Sequence, residues 1–152
     1  MAIRIHELGH VVFYVRNLER SVEFYRDVLG MPQIGNVDLG VSRAAGFSTG
    51  RTHHELLLIE VGGVLPPKVP GTPGLYHVGF KIGNTPDDIQ KAHTELREKG
   101  VTILGASDHQ ITHSLYVLDP DGNELELYAD VSDEWKRDPR LIFAPIKRLP
   151  LE

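Results

Sequence analysis

The sequence predicts an α+β protein built from two similar βαβββ modules. Three observations support this fold class: a strand pattern that recurs in both halves of the chain, an amphipathic helix after each of these strands, and further strand patterns after each helix. One such module is too small to be stable by itself. We therefore expect the two modules to pair and to form a cupped mixed sheet, with the helices outside.

The first strand of each module begins at a histidine. When His10 is placed on His77, residues 10–17 and 77–84 share His, Val, Phe and Asn at matching offsets. Apolar residues alternate in both segments, which is the period of a half-buried strand. Each histidine is therefore expected on the face opposite the apolar residues.

A helix follows each first strand. Residues 18–29 carry apolar side chains at helical spacing. The second helix begins at Thr85 and Pro86, and Asp88 completes the pattern of a capping box. Gly100 provides a stop for this second helix.

The remaining strands follow the helices, and the chain between the modules is rich in Gly and Pro. Strand patterns occupy residues 42–47, 53–61, 101–104, 113–118 and 124–128. Residues 36–46 are poorly patterned and are expected to form pocket walls, and residues 119–123 form a turn. We expect a single domain over residues 1–130, with module one at about 6–62, a linker at 62–74 and module two at about 75–130. Residues 131–152 are expected to form an extended arm that packs on the domain or on a partner chain.

Composition narrows the range of functions. The chain has 152 residues, of which 41% are hydrophobic and 24% charged, and its formal net charge is −5. Acidic balance argues against binding to nucleic acids or anionic membranes, and the sequence has no apolar run long enough for a spanning helix. Zero cysteines exclude disulfides and thiolate ligands. We expect a cytoplasmic protein.

Three residues form a candidate metal site. His10 and His77 occupy equivalent strand positions, and Glu126 lies in the last strand between Leu125 and Leu127, which should face the helices. Pairing of the modules would then bring two imidazoles and one carboxylate to one concave face. Such a set, with open coordination positions, suits Fe(II).

Four segments resemble the vicinal-oxygen-chelate superfamily, which includes glyoxalase I, extradiol ring-cleaving dioxygenases, fosfomycin-resistance enzymes and bleomycin-binding proteins. They read GHV over 9–11, SVEFYRDVLG over 21–30, HVGF over 77–80 and DPDGNELELY over 119–128. The resemblance covers roughly residues 6–130. It implies a shared metal site whose ligands are His10, His77 and Glu126, in agreement with the interpretation above. Fold alone does not choose the reaction.

Further residues resemble those of the single-domain extradiol dioxygenases that cleave catechols. They are the pair His53 and His54, then His109 before the last hairpin, and Tyr116 before the Asp-Pro turn. Tyr116 and Glu126 are equally far from the turn centre in sequence, so we expect them to be cross-strand neighbours.

The resemblance implies cleavage of a catechol-type aromatic diol by O2, with Fe(II), or alternatively Mn(II), as the metal. A catechol must lose protons to chelate the ion, and an imidazole can accept one. His54 is the candidate acid–base residue, although either His53 or His54 could face the site. His109 and Tyr116 are expected to stabilise the substrate. A homodimer or a higher homo-oligomer is the expected assembly.

Two other functions remain open, and fosfomycin-type thiol transfer and epimerase chemistry are also possible, although no specific residues indicate them. A glyoxalase I-like isomerase or lyase would use a fourth ligand, a carboxylate from the strand of module one, where leucines fill the centre between Glu55 and Glu60. Either glutamate could take that place if the register differs. The other possibility is a metal-free protein that sequesters a drug.

Overall fold

The computed structural model describes residues 3–64, 69 and 71–151, and it divides the chain into two compact units, Met1–Val69 and Pro70–Glu152. Each unit contains a βαβββ module, so the predicted α+β fold class is confirmed. The predicted linker, residues 62–74, lies partly outside the described residues. Within the described part of the chain, neither helix is long and apolar enough to cross a membrane.

The first unit contains one helix and a four-stranded sheet. Its elements are β1 (Val11–Val15), α1 (Leu18–Glu23), β2 (Gln33–Asp38), β3 (Arg43–Phe47) and β4 (Leu56–Glu60). The strand order is β1-β4-β3-β2, with β1 parallel to β4 and the other neighbours antiparallel. Phe13 and Val15 of β1 are buried while Tyr14 is exposed, as the alternation predicts.

The predicted helix over 18–29 has two parts. Asn17 caps α1 by accepting a hydrogen bond from the Arg20 amide (2.8 Å). After Glu23 the chain continues as a π-helical turn, Phe24–Val28. Phe24 and Tyr25 at its start are both buried, so the wider turn carries two aromatic side chains into the core.

Strand β2 was not predicted, and β4 begins later than predicted. The second half of β2 falls in the segment that was expected to form pocket walls, and five of the six residues of β2 are exposed. An edge strand with polar residues and a glycine has no apolar alternation to reveal it. β4 begins at Leu56, so His53 and His54 belong to the preceding loop and not to a strand.

The second unit repeats the topology of the first. Its elements are β5 (His77–Gly83), α2 (Pro86–Glu98), β6 (Ile103–Asp108), β7 (Thr112–Leu118), β8 (Glu124–Asp130) and β9 (Lys147–Arg148). The strand order is β5-β8-β7-β6-β9, with β5 parallel to β8. β8 alternates as predicted, because Leu125, Leu127 and Ala129 are buried while the residues between them are partly exposed.

Helix α2 has the predicted capping box. The Thr85 side chain accepts from the Asp88 amide, and the Asp88 carboxylate accepts from the Thr85 amide (2.9 Å). Ile89 and Leu96 are buried, and Gly100 adopts a positive φ of 70° after the helix. Such a conformation strains any other residue, which explains why the helix ends at a glycine.

The C-terminal segment is more structured than an extended arm. Two 3-10 turns, Glu134–Lys136 and Pro139–Phe143, follow β8. β9 then pairs antiparallel with β6, with Ser107 opposite Arg148 and Asp108 opposite Lys147. The segment therefore adds an edge strand to the second sheet.

Candidate metal and active-site residues

Three histidines cluster in the first unit. His10 lies directly before β1, and His53 and His54 lie in the loop before β4. The ring centroids of His10 and His54 are 4.3 Å apart, and those of His10 and His53 are 6.0 Å apart. One nitrogen from each ring lies within 4.8 Å of the others, so this cluster could hold a metal ion. Both members of the His53–His54 pair therefore approach His10.

The loop that carries His53 and His54 is held by Glu55 and Arg51. The Glu55 carboxylate accepts hydrogen bonds from the Thr49 amide (2.5 Å) and hydroxyl (2.8 Å), and it lies 3.3 Å from the Arg51 guanidinium. Arg51 also donates to the Gly9 carbonyl (3.0 Å). These contacts tie the loop to the segment that ends at His10, so they position all three imidazoles.

His54 is set apart from its neighbours by its environment. Loss of solvent around the ring, with smaller contributions from the charges of His10 and His53, lowers the pKa of His54 below its usual value. The ring is therefore neutral at neutral pH, where it can accept a proton.

Four polar side chains converge in the second unit. Nε2 of His77 lies 3.2 Å from Oε2 of Glu126, and the Tyr116 hydroxyl donates to Oε1 of Glu126 (3.2 Å). Nε2 of His109 lies 2.9 Å from the Tyr116 oxygen and 3.9 Å from Oε1 of Glu126. The strand register explains why the Tyr116 and Glu126 side chains are close, because Tyr116 of β7 pairs with Glu126 of β8, as the sequence predicts.

Tyr116 is a hydrogen-bond donor at neutral pH. Burial, followed by the charge of Glu126 and the hydrogen bond to it, raises the pKa of Tyr116 to about 12. Its hydroxyl therefore keeps its proton, and it stands between the carboxylate of Glu126 and the imidazole of His109.

The donor set of the second unit fits a divalent metal ion. One imidazole nitrogen and one carboxylate oxygen are already in contact at His77 and Glu126. The other ring nitrogen of His77, Nδ1, is buried and has no hydrogen-bond partner among the residues that the structure describes. A buried ring nitrogen without a partner is unusual, and it suits a histidine that still has to adopt the tautomer of a metal ligand. The third predicted ligand, His10, belongs to the first unit.

Strand pairing within each unit identifies the position in module one that corresponds to Glu126. Val11 of β1 pairs with Leu56 of β4, and Val78 of β5 pairs with Leu125 of β8. The next residue is Leu57 in β4 and Glu126 in β8. The first unit therefore has a leucine where a fourth ligand would stand.

The two glutamates that could have supplied a fourth ligand are engaged elsewhere. Glu60 accepts from the Leu18 amide (3.0 Å) and from Arg43 (2.6 Å). Glu55 is bonded to Thr49 and Arg51, as described above. These contacts favour the three-ligand interpretation.

Sequence reasoning missed the residues around the candidate ligands. Glu124 and Tyr76 flank His77, and Arg51 holds the histidine loop. Glu124 could have been found, because it has the same strand parity as Glu126 and therefore shares its face. The contacts of Tyr76 and Arg51 depend on tertiary structure.

The chain is similar to proteins of one family, and these relatives are named for different reactions. The sequence matches the Glyoxalase/Bleomycin resistance protein/Dioxygenase superfamily over residues 7–127. It is 36% identical over 124 residues to biphenyl-2,3-diol 1,2-dioxygenase 3 of Rhodococcus globerulus, covering 81% of this chain and 63% of that protein. It is 34% identical over 140 residues to catechol-2,3-dioxygenase of Bacillus subtilis strain 168, covering 88% and 46%. The chain thus spans about half to three fifths of the length of these relatives.

Other similar proteins are named for reactions different from ring cleavage. Metallothiol transferase FosB of Staphylococcus haemolyticus is 30% identical over 126 residues, covering 82% of this chain and 84% of that protein. The solved structure of the trypanothione-dependent glyoxalase I of Leishmania major superposes with a TM-score of 0.69 at 21% identity, covering 90% of this chain and 96% of that one. At that identity the structural likeness supports the shared fold.

Proposed function

We propose that this chain, which belongs to the glyoxalase/bleomycin resistance protein/dioxygenase superfamily, is a metal-dependent extradiol dioxygenase that cleaves a catechol-type aromatic ring with O2. The observation that carries the proposal is the cluster in the second unit. His77 and Glu126 are in contact there, and Tyr116 and His109 are hydrogen-bonded beside them. Identity of 34–36% with dioxygenases of biphenyl-2,3-diol and catechol supports this choice of reaction.

In this proposal His10, His77 and Glu126 hold the metal, with Fe(II) as the ion and Mn(II) as an alternative. When bound, such an ion supplies a Lewis acid that favours ionisation of the diol and open positions for the diol and O2. Three protein ligands leave these positions free. Leu57 supports the three-ligand assignment, because it replaces a carboxylate at the position equivalent to Glu126.

His54 accepts a proton from the incoming diol. Its lowered pKa leaves the imidazole neutral at neutral pH, and its ring lies against His10, the ligand of the first unit. His53 is the nearest alternative for this role, since its Nδ1 is 2.5 Å from Nδ1 of His54.

His109 and Tyr116 orient the diol and stabilise negative charge on its oxygens. Tyr116 donates a hydrogen bond next to the ligand Glu126, and His109 fixes the Tyr116 hydroxyl from the other side. A donor held in advance stabilises developing charge without reorganisation.

Thiol transfer is the second candidate, and one observation favours it. The chain covers 84% of metallothiol transferase FosB, compared with 63% and 46% of the two dioxygenases. Glyoxalase I-like isomerisation is less favoured because a leucine occupies the position of a fourth ligand.

We also propose that residues 1–130 form one domain and that the protein assembles as a homodimer. Light scattering of the purified protein at several concentrations tests this assembly. A mass of one chain at every concentration would contradict it.

Oxygen uptake tests the proposed reaction. The protein is loaded with Fe(II) without oxygen, mixed with catechol or 2,3-dihydroxybiphenyl, and then exposed to O2. We expect oxygen consumption and a yellow ring-fission product. A parallel assay offers a thiol and fosfomycin with Mn(II). Turnover only in this second assay would overturn the dioxygenase proposal and support thiol transfer.

A further inference from the structure

We propose that Glu124 is a positioning residue for His77. Its carboxylate accepts a hydrogen bond from the Nδ1–H group of His77, so that Nε2 is directed at the metal. The inference rests on the proposed role of His77 as a ligand. It does not depend on which reaction the bound metal supports.

The two nitrogens of His77 face different carboxylates. Nε2 lies 3.2 Å from Oε2 of Glu126, and Nδ1 lies 3.9 Å from Oε1 of Glu124. The first distance is that of a hydrogen bond and the second is too long for one. Consistent with this, Nδ1 is buried and has no hydrogen-bond partner in the described part of the chain.

Metal binding changes which ring nitrogen of His77 must carry the proton. A neutral imidazole carries one N–H group, and here Nε2 can donate it to Glu126. When Nε2 binds an ion, the proton has to be on Nδ1, and a buried N–H group needs an acceptor. Glu124 provides one: its side chain is 20% exposed, and a shift of less than 1 Å closes the distance to hydrogen-bond length.

Register keeps Glu124 beside His77. The two residues are direct neighbours in the parallel pair of β5 and β8, so their side chains share one face of the sheet. Glu126 follows two residues later on the same face. One strand therefore supplies both the proposed ligand and the carboxylate that orients the neighbouring ligand.

Tyr76 also contacts the carboxylate of Glu124. Its side chain hydrogen-bonds to Glu124, and its ring lies 4.6 Å from the ring of His77. The hydrogen bond and the ring contact therefore place Tyr76, Glu124 and His77 in one cluster.

The first unit does not repeat this arrangement. Glu55 stands where Glu124 does, one residue before the Leu56 that pairs with Val11. Its carboxylate is bonded to Thr49 and Arg51, and these contacts hold the histidine loop. The positioning role is therefore specific to His77.

Histidine NMR and metal affinity test the proposal without any assay of turnover. Zn(II) is the probe because it is diamagnetic and binds imidazole and carboxylate ligands. Nitrogen-15 spectra of the imidazoles report the His77 tautomer and the exchange rate of its Nδ1 proton, and competition with a chromophoric chelator reports affinity. The variants are Glu124→Ala and Glu124→Gln, with Glu95→Gln on the exposed face of α2 as the matched control.

In the wild type we expect Zn(II) to place the His77 proton on Nδ1, where it exchanges slowly. Glu124→Ala should speed this exchange and weaken Zn(II) binding about 10- to 100-fold, the usual loss when the outer partner of a ligating histidine is removed. Glu124→Gln should recover part of the loss because its amide oxygen still accepts. Glu95→Gln should behave as the wild type.

Wild-type affinity and slow Nδ1 exchange in Glu124→Ala would overturn the inference while leaving the metal site intact. Absence of any Zn(II) effect on the His77 signals of the wild type would instead overturn the ligand assignment, and the inference with it. If Glu124→Ala does not fold, Glu124→Leu decides, because leucine keeps the side-chain volume and offers no acceptor: wild-type affinity and slow Nδ1 exchange in that variant overturn the inference.

Discussion

His54 and His10 are neighbours with different proposed tasks. Their ring centroids are 4.3 Å apart, so a substitution at either changes the surroundings of the other. What separates them is the proposed ligand role of His10 and the lowered pKa of His54. Metal content and turnover must therefore be measured together in the same variants.

His10→Ala should abolish metal binding, because it removes one of three ligands. His54→Ala should retain the metal and lower kcat by roughly 10²- to 10⁴-fold, the usual effect of losing a general acid–base residue. Metal analysis of the dialysed proteins and steady-state oxygen uptake check the two results. Full metal occupancy in His10→Ala, or undiminished turnover in His54→Ala, would contradict the assigned roles.

Tyr116→Phe removes one hydroxyl from the cluster of the second unit. We expect kcat to fall roughly 10²- to 10³-fold, as when one preorganised donor is removed, with little change in metal affinity. Stopped-flow measurement of ring-fission product at saturating diol checks this. Equal turnover by the variant would show that the hydroxyl has no part in the reaction.

The elements β4 and β8 have the same place in their sheets and different side chains on the face of the proposed site. Each pairs parallel with the first strand of its unit and antiparallel with the third. Leu57 and Gly46 pair in the first unit where Glu126 and Tyr116 pair in the second. The polar chemistry is thus concentrated in the second module, while the first contributes histidines from outside its strands.

Leu57→Glu places a carboxylate at the position equivalent to Glu126. If the modules pair as proposed, the variant should bind Mn(II) more tightly and lose oxygen uptake, because a fourth ligand occupies a position that substrate or O2 needs. Electron paramagnetic resonance of bound Mn(II) measures the first effect and an oxygen electrode the second. Leu57→Gln is the control for size, and equal behaviour of the two variants would argue against ligation.

Thr85→Ala tests the local signal that begins α2. The substitution removes the side chain that caps the Asp88 amide, so we expect a loss of about 1 kcal/mol in the free energy of unfolding. Urea denaturation followed by circular dichroism measures it. Since Thr85 follows the end of β5 and His77 begins that strand, metal affinity of the folded variant should match that of the wild type.

For the whole molecule, the proposed ligands are divided between the two compact units. His10 lies in the unit that ends at Val69, and His77 and Glu126 lie in the unit that begins at Pro70. An ion bound by all three would link unfolding of both units to its release, since the unfolded chain lacks the site.

Mn(II) should therefore stabilise the protein against urea by about 2.7 kcal/mol when its free concentration is 100 times its Kd. Both units should unfold together under these conditions. His77→Ala should remove the effect, and a chelator should reverse it in the wild type. Stabilisation that persists in His77→Ala would place the ion elsewhere, for example at the His10, His53 and His54 cluster.

Short-range patterns in the sequence were sufficient to predict most of the fold. The repeat around His10 and His77, the capping box at Thr85 and the alternation in β8 each depend on residues a few positions apart, so a single sequence reveals them. The register of Tyr116 with Glu126 was also predictable, because a short turn determines which residues pair. The superfamily followed from the same segments.

Only the tertiary structure decided which groups meet around these residues. It placed His53 and His54 in a loop beside His10, held by Arg51 and Glu55, and it brought the Tyr76 side chain to the carboxylate of Glu124. Contacts between residues far apart in sequence leave no periodic signal, and exposed β2 has no apolar alternation. The sequence by itself therefore determined the family and the candidate ligands, and packing determined the partners that orient them.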